Sequence, residues 1–323
     1  MRKFLKRNVS LAACLIGAIG LSSGTATAYP DKPVRIVVGY APGGGVDAVA
    51  RLMADKLQAK WGKPVIVENR AGASGTIAEA DVVKSAPDGH SLVLVSNAFV
   101  VVPTLMKLSY KPSDLAPISQ ITQSPDLLVI NPTVLPVKTT QELIAYAKAR
   151  PGDLNFGGSG PGSSNALSML IFNNLAGLKM TQVDYGGTAQ IVTALLSGEI
   201  QLAFGSQSGF GGQIAAGTVK VLAVSAPERL PAMPDVPTVA ESANLPGYEE
   251  GQWLGLLTRA GTPQDIVAKI QADMTEVMKQ PEQQKQLTAR GYTFVGSTPE
   301  QFGSLIDKQL VRYPDVLKQT GAK

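Results

Sequence analysis

Residues 34–47 read VRIVVGYAPGGGVD. An apolar run from Val34 to Val38, interrupted only by Arg35, leads toward three glycines and an aspartate. An amphipathic stretch follows from Val46 to Lys60. A strand of this kind joined to a helix is the unit of a parallel sheet covered on both faces, so the chain reads as α/β. The loop between them poses the functional question. Glycines let a ligand approach the backbone closely, and the first turn of a helix has N–H groups with no helical acceptor, where an anion is favoured. The occupants to separate are a nucleotide phosphate, a substrate in a hydrolase turn, and some other anion.

Outward from this unit, apolar runs alternate with helical patterns. Strands are expected at Val65 to Val67, Leu92 to Val95, Leu127 to Ile130, Leu154 to Phe156, Gln182 to Tyr185, Gln201 to Phe204 and Lys220 to Val224. Helices are expected at Thr140 to Ala149, Ser163 to Leu175, Thr188 to Leu196 and Pro263 to Met278, and again after Pro299. The strand–glycine–helix unit recurs at 154 to 175 as LNFGGSGPGSSNALSMLIFNNL, with Ser163 or Ser164 as the N-cap. Two such loops imply two lobes offering helix N-termini to one cleft. Chain crossings are expected near 122 to 126 and 224 to 228.

The first residues stand apart. Arg2, Lys3, Lys6 and Arg7 precede an apolar run from Val9 to about Leu21, and Ala26-Thr27-Ala28 has the small-residue form of a cleavage site. Residues 1–28 therefore read as a signal peptide cut before Tyr29, and the run is too short to span a bilayer of about 30 Å. Leu11-Ala12-Ala13-Cys14 resembles a lipidation site, but the apolar run continues past Cys14, so lipidation is set aside. The formal charge of +4 resides in those four cations, leaving 25 basic against 25 acidic residues. The basic balance is thus no argument for nucleic acid or an acidic membrane. Cys14 is the only cysteine, so about 295 exported residues depend on burial, not disulfides.

Catalytic chemistry finds few residues to use. Gly43-x-Gly45-x-x-Ala48 fits a relaxed dinucleotide pattern with Glu68 ending the next strand, but Pro42 and export argue against it. No Walker sequence and no G-x-S-x-G elbow occurs. His90, the single histidine, lies in a turn, and with no mature cysteine neither a zinc site nor a Cys-His pair can be assembled. Glu249-Glu250 reads as a solvated loop. No cofactor, metal or catalytic residue is expected. Asp47 is left open between helix cap, holder of bridging waters and ligand contact.

These stretches carry a resemblance. YPDKPVRIVVGYAPGGGVDAVAR, GKPVIVENRAGASGTIAEADVVKSAPDGHSLVL, PGDLNFGGSGPGSS, VDYGGTAQIVTALLSGEIQLAF, VKVLAVSAPERLPAMPDVPTVAES and GYEEGQWLGLL resemble the Bug family, the solute-binding proteins of tripartite tricarboxylate transporters, across the whole mature chain. The resemblance implies a type II periplasmic-binding-protein fold, with lobes at 29–124 and 125–225 and a return of 226–323 to the first. It implies a periplasmic, monomeric receptor for a small organic carboxylate, handed to permease subunits in the membrane. A sensor for a membrane kinase and a periplasmic enzyme are the alternatives.

By the same resemblance, Tyr40, Ala41, Pro42, Gly43, Gly44 and Asp47 form one wall of the site, partly through waters. Ser159, Gly160, Ser163, Ser164 and Asn165 form the other. Ser96, Asn97, Tyr185, Gly186 and Gly187 also face the cleft, with Ser74 a weaker contact. Relatives often carry histidine near Asn165 and lysine at Gly186, and a proline near Gln190. Losing that lysine suits a mono- or dicarboxylate, with room for an aromatic body, better than a tricarboxylate.

Overall fold

The structure, a computed structural model, describes residues 29–159 and 163–320. The signal-peptide and Cys14 readings, the leader side of the cleavage site, and Gly160 lie outside the described residues.

The first lobe opens with β1 (Val34–Val38), α1 (Gly45–Trp61), β2 (Val65–Asn69), α2 (Thr76–Val83), β3 (Ser91–Ser96) and α3 (Ala98–Leu105). The chain then runs through β4 (Leu115–Ile130) into α4 (Thr140–Ala149), β5 (Asn155–Gly158), α5 (Ser164–Leu175), β6 (Thr181–Asp184), α6 (Thr188–Ser197), β7 (Leu202–Ser206), α7 (Gln207–Ala215) and β8 (Lys220–Val224). After α8 (Val239–Ala243) it returns as β9 (Gly251–Arg259), α9 (Gln264–Met278), α10 (Pro281–Thr288), β10 (Thr293–Phe294) and α11 (Pro299–Thr320).

The sheet is mixed, not parallel throughout. Strand order is β2-β1-β3-β9-β4-β7-β5-β6, with β8 and β10 also on β4. β1 pairs in parallel with β2 and β3, and β5 with β6 and β7, whereas β4 and β9 run antiparallel to their neighbours. Only four residues of β4 are visible as a strand in sequence. Its first part contains Pro117 and the polar positions Gln120, Thr122 and Ser124, and pairing with β9 makes it a strand.

β4 belongs to both lobes. Up to Pro125 it pairs with β9, and from Asp126 it pairs with β7, with β8 joining from Leu127. Ser225 ties this change of partners to the residue that precedes β9. Its hydroxyl accepts the Asp126 N–H at 2.7 Å and donates to the Glu250 carbonyl; its own N–H donates to the Asp126 carbonyl at 2.8 Å, and its carbonyl accepts from Glu250 N–H at 3.1 Å. Ser225 is fully buried.

Three apolar clusters fill the structure. One lies under α1 and α9 around Val38, Met53, Leu57 and Ile270; another lies under α6 and α7 around Leu127, Ile191 and Phe210. The largest joins the lobes, running from Val93, Phe99 and Trp253 to Phe156, Phe172 and Phe204, with Phe302 and Tyr313 of α11 laid across it.

Glu250 is not solvated as its sequence suggests. It is buried, its carboxylate 2.7 Å from Arg312 and accepting from the Tyr313 hydroxyl at 3.3 Å. α11 arrives some sixty residues later in the chain, so local sequence cannot show this burial. Burial pushes Glu250 up to about 7 against the pull of Arg312 and Tyr313, and raises Asp126 to about 6 against its Ser168 hydrogen bond. Both carboxyls hold protons more tightly folded than unfolded, so this contribution is full below about pH 4 and lost as pH rises through 6 to 7. In Glu250→Gln, urea midpoints measured from pH 4.5 to 8 should fall less steeply than in the wild type.

Candidate functional site

The loop after β1 is built by close backbone approach. A Cβ on Gly39 would lie 2.4 Å from Gly75 Cα, so only glycine fits there. Tyr40 follows, its hydroxyl 2.5 Å from Ser96 Oγ at the end of β3 and 3.4 Å from the Ser74 carbonyl. Burial raises the Tyr40 pKa despite the Ser96 bond, so the phenol stays neutral and available as a hydrogen-bonding group. Ser96 and Asn97 are themselves buried.

Ala41 to Gly45 are exposed, and Asp47 lies buried beneath them. Its carboxylate accepts from Gly43 N–H at 2.9 Å, from Arg51 Nε at 2.9 Å and from Asn69 Nδ2 at 2.8 Å. Asn69 also donates to the Tyr40 carbonyl and accepts from Arg51. Burial would raise the Asp47 pKa, but Arg51, Gly43 and Asn69 together hold it at about 2. Asp47 thus braces the loop and does not cap its helix.

That bracing leaves the start of α1 open. Its N-cap is Gly44, with no side-chain cap, and the first helical bond runs from Ala48 N–H to the Gly44 carbonyl. The N–H groups of Gly45, Val46 and Asp47 therefore have no helical acceptor. Tyr292 stands beside them, its hydroxyl 2.6 Å from where a Gly45 Cβ would be and donating to Gln252 at 3.2 Å.

The second lobe repeats the device. At α6 the N-cap is Gly187, and Gln190 in the first turn accepts the Gly186 N–H at 2.6 Å, as Asp47 accepts that of Gly43. At α5 the N-cap is Ser163, followed by Ser164. Asn165 accepts from Ser159 N–H at 3.3 Å and Ala166 N–H at 2.9 Å, and donates to Ser159 Oγ at 2.9 Å. By contrast α4, α7 and α8 are closed by Thr139, Ser206 and Thr238.

Two residues have other engagements. The Tyr185 hydroxyl donates to Glu199 at 2.9 Å. Asp184, exposed at the end of β6, has an oxygen 3.3 Å from where a Gly158 Cβ would be and accepts from Gln182. Sequence reasoning missed Asn69, Arg51, Gln190, Tyr292 and Gln252. Only the i,i+4 spacing of Asp47 with Arg51 was a local signal. His90 lies 3.0 Å from Asp31 and 3.3 Å from Asp88, packed beside Tyr29. Among the described residues no His, Cys, Asp and Glu group is arranged to hold a metal.

The family model for the tripartite tricarboxylate transporter family receptor matches residues 49–322. The chain belongs to that receptor family. Protein BugT of Bordetella pertussis is 31% identical over 327 residues, with 99% of each chain covered. Among solved structures, R. palustris Rpa4515 with adipate is 30% identical, with a TM-score of 0.75 over 91% of this chain and 98% of its own. MatC from Rhodopseudomonas palustris with bound malate is 33% identical, with a TM-score of 0.71 over 90% of this chain and all of its own. The fold is thus that of the periplasmic solute-binding receptors of this family, two α/β lobes flanking a cleft.

Because Asp47 is held at about 2, its contribution is full above the unfolded value near 4 and lost as pH falls through 2. Asp47→Asn should cost about 2 kcal/mol at pH 7 by urea denaturation. The gap to wild type should close as the titration is taken below pH 4.

Proposed function

We propose that this receptor takes up a small organic carboxylate between its lobes and delivers it to the membrane subunits of a tripartite transporter, from the periplasm, as a monomer without catalytic activity. The supporting observation is the start of α1. A glycine N-cap leaves the first-turn donors open, and the carboxylate in that turn, Asp47, is neutralised by Arg51 and turned into the loop. An anion would meet three N–H groups and the helix dipole there, with no free negative charge opposing it. Tyr40, Ala41, Pro42, Gly43 and Gly44 would surround it, with Ser96 and Asn97 beside them. Ser159, Gly160, Ser163, Ser164, Asn165, Tyr185, Gly186 and Gly187 would close from the second lobe.

In this reading residues 29–124 and 226–323 form one lobe and 125–225 the other. A ligand touching both stabilises the closed form, which the membrane partner distinguishes from the open one. The ligand is a mono- or dicarboxylate with a neutral body. The second lobe has glycine, not lysine, at 186 and presents the Asp184 carboxylate beside Gly158, so a third carboxylate finds no cation there.

Native mass spectrometry of the purified protein should show a co-purified small acid. Calorimetry with malate, adipate, citrate, amino acids and aromatic acids should rank citrate below the mono- and dicarboxylates. Gly44→Asp sets its own carboxylate at the N-cap, where the backbone φ of −74° suits any residue. It should weaken binding by about tenfold or more while the melting temperature holds or rises. Unchanged affinity would remove α1 from the site.

A further inference from the structure

Behind the cleft wall, α2 and the end of α3 enclose a groove of about 450 Å³. Its rim combines two features rarely left exposed together. Ile77 and Met106 are about half exposed, at 50% and 49%. Lys84 and Lys107, both exposed, have no acidic partner among the described residues, and Arg70 holds only 3.6 Å contacts to Glu68 and Asp81. Asp81, the one carboxylate in the lining, lies 2.7 Å from Arg35.

The wall between groove and cleft is strained. Gly72, Ala73, Ser74 and Gly75 have φ of 135°, 45°, 55° and 101°, four successive residues at positive φ of which two are not glycine. Such backbone costs roughly 1–3 kcal/mol per non-glycine residue and persists where the surroundings enforce it. On one side the arch meets the ligand loop: Gly75 against Gly39, and the Ser74 carbonyl against Tyr40. On the other it carries the groove, with Ile77 Cδ1 only 2.7 Å from where a Gly72 Cβ would lie. Tyr110 of the groove donates to buried Glu79, whose other oxygen is 3.4 Å from the same kind of position on Gly75.

We propose that this groove is where the membrane partner docks, through an acidic segment carrying an apolar side chain. The apolar chain enters between Ile77 and Met106 while its carboxylates meet Lys84, Lys107 and Arg70. This rests on the delivery role above. Exposed apolar groups beside two unpaired lysines, with the one lining carboxylate held by Arg35, match that chemistry. The site is concave and the mature chain carries no net charge, which favours a protein side chain over a lipid surface. Because the arch is shared, a change at Tyr40 on loading reaches Ile77 through four residues.

The test titrates the full mature chain with the peptide acetyl-Glu-Glu-Leu-Glu-Glu-Leu-amide and, separately, with phosphatidylglycerol vesicles. Peptide binding should weaken about tenfold in Lys84→Glu/Lys107→Glu, less in Lys84→Gln/Lys107→Gln, and fall in the wild type as salt rises. Ile77→Ser should weaken it at unchanged charge. Malate and adipate titrations should give the same result in the Lys84 and Lys107 variants as in the wild type. Absence of carboxylate binding in the wild type would count against the receptor reading alone, since the peptide arm needs no ligand. Equal peptide affinity in wild type and the Glu variant, or Lys84- and Lys107-dependent binding to vesicles without peptide binding, would overturn the docking site.

Discussion

The molecule depends on a single buried hydroxyl. At the level of Ser225 β4 changes partners and the chain enters β9, and the backbone groups there must be satisfied in a place water does not reach. Ser225 does this for β4 and for the residue before β9 while its own strand ends. β4 can therefore leave one set of partners at Pro125 and take up another at Asp126 without a break. The sheet changes partners at that point.

Around the cleft a second economy operates. An N-cap side chain ordinarily closes a helix start, and α4, α7 and α8 follow that habit. At α1 and α6 the cap is glycine, and the polar residue that follows turns back to the preceding N–H. The loop gains rigidity from the side chain while the helix donors stay open. Asp47 and Gln190 share the geometry and differ in charge; only the charged one needs a counter-ion, and Arg51 supplies it one turn on.

Much of this was legible in sequence where the signal is local. Val34–Val38 is a strand because β-branched residues in an unbroken run pack on both faces, and Gly62, at φ 63°, ends α1 as C-terminal glycines do. The first part of β4 was not legible, because prolines and polar residues resemble a loop until β9 lies beside them. β9 itself was missed as a strand. Glu250 looked solvated because its partners are on α11. The glycine loops were found from composition, but the bracing of Asp47 by Asn69 joins residues far apart in sequence on different elements, and no periodicity encodes it. Gln190 carries no mark in the sequence, and its role emerges only from the bond to Gly186.

Of the two tryptophans, Trp61 ends α1 and donates to Asp273, within the first lobe. Trp253 sits instead on the crossing itself, edge-on to Phe302 at 5.3 Å and donating to Gln309 of α11. Its indole is clamped between β9, where that strand pairs with β4, and α11, which packs on β4, α3 and α5. Indole emission responds to the polarity and contacts of the ring. Trp253 is thus an optical gauge beside the point where β4 changes partners, and a ligand-driven closure of the kind proposed would be read from it in unlabelled material.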